Sequence, residues 1–100
     1  MATTSKVLFR GAAATSSTTL YTTPSATTAV VTNIAVSNTA SSSATFDLSL
    51  NDVQIFNDTS VDANSTIFID LKQVLATTQT IKGLASATTV NFHISGVEIA

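Results

Sequence analysis

The chain has no cysteine, no tryptophan, one proline, three glycines and one histidine in 100 residues. Without cysteine there is neither a disulfide framework nor a thiolate, and the redox compartment stays open. A lone histidine, His93, has no second His or Cys with which to hold a tetrahedral metal, and its spacing supports no Ser-His-Asp arrangement. It falls on an alternating segment beside Asn91 and Ser95, facing out, which makes it a solvated or interfacial side chain. The glycines (Gly11, Gly83, Gly96) stand alone, so they mark bulges or close backbone approach and not a phosphate-cradling loop. No serine lies in a G-x-S-x-G setting. These absences point away from an enzyme and from any cofactor.

Charge is equally scarce. Charged residues make up 10% of the chain, with a net charge of −2, against roughly 25% charged residues in ordinary soluble domains. There is no basic footprint for nucleic acid. Five of the six acids (Asp47, Asp52, Asp58, Asp62, Asp70) lie mid-chain, while Lys6 and Arg10 lie near the start. Long apolar runs are missing too: the longest, such as Val7-Leu8-Phe9, are three residues, and a spanning helix needs about 20. The opening MATTSKVLFRG lacks the apolar core of a signal peptide. Neither nucleic acid nor a membrane is an expected partner.

What the chain does contain is hydroxyl and small apolar side chains: 32 Ser or Thr and 14 Ala. Their pattern has period two. Val30, Thr32, Ile34 and Val36 share one face, and so do Ala44, Phe46, Leu48 and Leu50, opposed by Thr45, Asp47 and Ser49. Asn51-Asp52 makes a turn before a strand that begins at Val53 and Ile55. Ile67, Ile69 and Leu71 alternate with Phe68 and Asp70, and Val90, Phe92 and Ile94 with Asn91, His93 and Ser95. Such alternation is that of half-buried antiparallel strands. Shorter segments near Lys6–Gly11, Thr18–Thr22 and Thr80–Ala85 add further strands. Pro24 falls between strands, where its missing N–H costs nothing. Only Leu71-Lys72-Gln73-Val74-Leu75 has room for a helical turn.

The spacing predicts an all-β protein, an antiparallel β-sandwich of jelly-roll type with seven to eight strands. Residues 1–17 form an N-terminal arm and first strand, and residues 18–100 the remainder of a single domain. The expected core is Val30, Ile34, Val36, Phe46, Leu48, Leu50, Ile67, Ile69, Phe92 and Ile94. The stretch Asn57 to Asn64 collects oxygen ligands but lacks the glycine and bidentate glutamate of a calcium loop, and is read as a polar turn. Asn57-Asp58-Thr59 and Asn64-Ser65-Thr66 fit the glycosylation pattern, a match that arises by chance in a chain so rich in Ser and Thr. Phe56 and Phe68 fall out of phase with their apolar neighbours. Unless a bulge turns them inward, they are apolar anchors on a hydroxyl surface. With Lys6, Val7, Phe9 and Arg10 they make up the candidate interface.

The stretches TTLYTTPSATTAVVTNIAVSNTASSSATFDLSL, SVDANSTIFIDLKQVLATTQTIKG and TTVNFHISGVEI resemble a family of small structural proteins of tailed bacteriophages. The likeness runs from about Thr18 to Ile99. It carries folding information and no catalytic residues. It implies a virion protein made in the host cytoplasm, foremost a capsid decoration or cement protein on the outer surface of the head. The expected partners are the major capsid protein and copies of the chain itself, trimers included. The segment Met1 to Arg10 is expected to lie on a neighbouring subunit or the capsid floor and not to hang free. Two other readings stay open: a tail, neck or fibre module, and a carbohydrate-binding sandwich contacting the host surface. The last would have only Tyr21 as an aromatic platform besides phenylalanine.

Overall fold

Alternation of period two along nearly the whole chain produces eight strands and no helix in the computed structural model, which describes residues 2–100. The strands are β1 (Thr3–Ala12), β2 (Thr18–Thr22), β3 (Thr28–Asn38), β4 (Ala44–Leu50), β5 (Val53–Val61), β6 (Ser65–Leu75), β7 (Thr80–Ala85) and β8 (Val90–Ile99). They form two four-stranded antiparallel sheets, ordered β1-β8-β3-β6 and β2-β7-β4-β5. Only β4 and β5 are consecutive strands paired within one sheet; the other links cross between sheets. This eight-stranded order is that of a jelly roll, as the spacing predicted.

The β4–β5 hairpin turns on Asn51 and Asp52, with φ of 53° and 62°. A two-residue loop with both central residues left-handed suits the twist of an antiparallel pair, and Asn and Asp tolerate that region. The segment Leu71–Leu75 is not helical. It continues β6, because the alternation that places Ile67 and Ile69 inward also seats Leu71 and Leu75 against the core.

The core lies between the sheets. Ile34, Val36, Phe46, Leu48, Phe92 and Ile94 are fully buried there, as expected. Phe46 is central, with the ring of Phe92 edge-on at 5.9 Å and that of Phe56 at 5.6 Å. Leu50, Ile67 and Ile69 pack against the core but stay half-buried. Val30 departs from the expectation. A bulge between Val31 and Asn33 shifts the phase of β3, so Ala29 and Val31 point in with Ile34 and Val36, and Val30 turns outward.

That bulge explains one glycine. A Cβ on Gly96, opposite Val31, would lie 2.2 Å from the carbonyl oxygen of Val30 and 3.0 Å from Leu8. No side chain fits so close an approach.

The N-terminal segment is a strand of the chain's own sheet. From Thr3 to Ala12 it pairs along β8 of its own chain, and Ala2 and Ala100 exchange backbone hydrogen bonds of 2.8 and 2.9 Å. It completes the chain's own sheet, with Leu8 in the core and Phe9 packed against it. Met1 lies outside the described residues.

Candidate binding surface

Directly opposite residues in a sheet share a face, so the register gives the outer surface of the β1-β8-β3-β6 sheet row by row. One row runs Arg10, His93, Ala35, Phe68, and the next Val7, Ser95, Asn33, Asp70. Beyond the β3 bulge comes Ser5, Val97, Val30, Val74. Apolar side chains thus cross three strands at Val97, Val30 and Val74. Phe68 stands proud beside Ala35, whose small side chain gives it no shelter. Phe68 is 77% exposed and Val74 65%. Exposed large apolar groups clustered on one face mark contact surfaces. Two shallow depressions meet at Thr32, where β3 bulges. One is lined by Thr32, Asp70, Leu71 and Lys72, and the other reaches Ser5, Val7 and Val97.

The six interface candidates separate accordingly. Val7, Arg10 and Phe68 lie on this face. Phe56 does not: β5 bulges at Ile55, between its contacts with Ser49 and Leu48, which puts Phe56 in phase with Leu48 and onto the Phe46 ring and leaves Val53 and Ile55 exposed, and it bulges again at residues 57–58, between its contacts with Leu48 and Phe46. Asp47 fixes that bulge, its Oδ1 accepting a hydrogen bond from the backbone N of Asp58 at 2.7 Å, where φ is 49°. Phe9 also packs on the core. Lys6 faces the other way, donating to Glu98 Oε1 at 3.2 Å.

Glu98 is the hub of a polar clamp that sequence reasoning missed. Its Oε2 accepts from the hydroxyl of Tyr21 at 2.5 Å, joining β2 of one sheet to β8 of the other. The carboxyl is held below its ordinary range, first by the Tyr21 hydrogen bond and then by Lys6. Burial, with Glu98 beside it, pushes the Tyr21 hydroxyl well above its ordinary value. The proton therefore stays on tyrosine, and the pair fastens the sheets together.

A second cluster surrounds Asn38, which is 2% exposed. Its Nδ2 donates to the carbonyls of Ser42 at 2.9 Å and Val61 at 3.3 Å. Its Oδ1 accepts from Ala40 N and from the Thr89 hydroxyl, both at 3.1 Å. Other hydroxyls serve the loops in the same way: Thr23 Oγ1 donates to Gln79 O at 2.9 Å, and Thr77 Oγ1 to Thr27 O at 2.9 Å. Part of the Ser and Thr content is therefore loop fastening, which composition alone does not reveal.

Among the described residues no three His, Cys, Asp or Glu side chains gather as a metal site. Residues 57–61 continue β5 and only Asp62–Asn64 turn. No protein-family model matches the chain, and no curated protein matches it.

Proposed function

We propose that this is a non-enzymatic structural protein of a tailed-bacteriophage virion, a capsid decoration protein that braces the head by seating between major capsid proteins. The observation that carries the reading is the outer face of the β1-β8-β3-β6 sheet. It is poor in charge and crossed by Val97, Val30 and Val74, with Phe68 projecting from it. A face of this kind binds by excluded water and shape, not by ionic attraction. The jelly-roll order adds support, since that architecture recurs in capsid proteins, and so does the resemblance of Thr18 to Ile99 to phage structural proteins. The partners on this reading are the major capsid protein and further copies of the chain, on the outer surface of the particle.

Stripping purified particles across a salt series tests the reading. Retention from low to high salt is expected, because few ion pairs hold the face down. Sharp release at moderate salt would mean that charge holds it, contrary to the proposal. Phe68→Ser should lower occupancy at every salt concentration.

A further inference from the structure

The outer edge of β6 is open among the described residues: β3 occupies one side of the strand and no strand is paired on the other. An eleven-residue edge of this kind is a template for another strand, and proteins usually blunt it with proline or with charges. Here the edge has no proline, and its only charges are Asp70 and Lys72. Neither of them joins an ion pair among the described residues.

We propose that β6 pairs antiparallel with β6 of a second copy about a two-fold axis at Leu71, making one eight-stranded sheet across the dimer. The even residues of β6, Thr66, Phe68, Asp70, Lys72 and Val74, share the outer face, while Ile67, Ile69, Leu71 and Leu75 pack inward. Centring the axis on Leu71 sets Asp70 of each copy opposite Lys72 of the other. The same register sets Phe68 of each copy opposite Val74 of the other, so the two most exposed apolar groups on this face cover one another. Both complementarities occur twice, as an isologous contact requires.

Neighbouring registers fail. Moving the axis to Asp70 places the two Asp70 carboxylates face to face and Phe68 against Lys72. Moving it to Lys72 opposes the two lysines. A shift by one residue sets outward side chains opposite inward ones, which a pleated sheet does not allow. Like charges directly opposite destabilise a pair and opposite charges favour it. Charge, apolar matching and pleat therefore select one register. The proposal does not depend on the virion reading, since the edge would self-pair wherever the protein resides.

Analytical ultracentrifugation of the full chain over a concentration series tests it, with circular dichroism to verify each variant's fold. A concentration-dependent dimer is expected. Lys72→Asp and Asp70→Lys should each weaken it by about tenfold or more, since either turns two attractive oppositions into two repulsive ones. The double variant D70K/K72D restores both oppositions and should recover the dimer. Phe68→Ser should weaken association without disturbing the monomer. A chain that stays monomeric at all concentrations, a trimer, or a dimer indifferent to charge reversal would overturn the proposal. So would a double variant no better than the singles.

Discussion

The hydroxyl of Tyr21 and the carboxylate of Glu98, 77 positions apart in sequence, meet at 2.5 Å across the two sheets. With the bond from Asn38 Nδ2 on β3 to Val61 O on β5, this contact ties together layers whose other contacts are mainly apolar. Its pH dependence follows from the two shifts. Glu98 is depressed in the folded state from an ordinary value of 4.5, so its stabilising contribution is present above that pH and lost as pH falls through the lower folded value. Tyr21 is raised from 10.0, so its contribution is present below pH 10.0 and lost as pH rises beyond it. Thermal melts should show stability falling on both the acid and the alkaline side. Glu98→Gln should flatten the acid limb, and Tyr21→Phe should remove the tyrosine share of the alkaline limb at a cost of about 1 kcal/mol at neutral pH.

Asn38 binds three segments through its amide: the loop after β3, the end of β5 and the turn before β8. Asn38→Leu would leave the hydroxyl of Thr89 and the buried carbonyl of Val61 short of a partner. A loss of about 3 kcal/mol is expected in urea unfolding. Thr39→Ala, at the exposed neighbouring position, should change stability by under about 0.5 kcal/mol.

Gly96→Ala should be among the most damaging small changes in the chain. The new methyl would fall 2.2 Å from a backbone oxygen, which cannot rotate aside as a side-chain tip can. A loss of about 3 kcal/mol, or failure to fold, is expected. Comparison with Gly11→Ala, whose nearest neighbour would be the Phe9 ring at 3.4 Å, separates steric conflict from the general effect of replacing glycine.

Thr78 holds φ at 69° in the turn between β6 and β7, a region in which a β-branched residue is an outlier. Asparagine tolerates it better. Thr78→Asn should raise stability by about 1 kcal/mol, read as a higher melting temperature. The turn's own bond, from Gln79 N to Ala76 O, and the bond from Thr78 N to Thr23 O in the loop after β2 are both made by backbone and survive the change.

The sandwich was legible because the alternation in β4 and β8 runs unbroken, so Phe46, Leu48, Phe92 and Ile94 could be placed from sequence. Val30 and Phe56 were not legible to the same degree, and for one reason. A bulge adds a residue on one strand and shifts the phase, and nothing in AVVTNI or QIFNDT marks which residue is the extra one. Phe68 fell on the outer face as its phase implied. Val74 was hidden because LKQVL also fits a helical turn; carrying the β6 alternation four residues further would have placed it beside Phe68 and Asp70. Tyr21–Glu98 and the Asn38 cluster carry no local signal, since their partners come from strands and loops distant in sequence.

On the proposed function the chain is a many-copy component of a virion head. Quantitative mass spectrometry of purified particles, counting this protein against the major capsid protein, tests it most directly. Hundreds of copies per particle, in fixed ratio to the major capsid protein, are predicted. A handful of copies would move the protein to the tail or neck, and its absence from purified particles would rule out a virion protein.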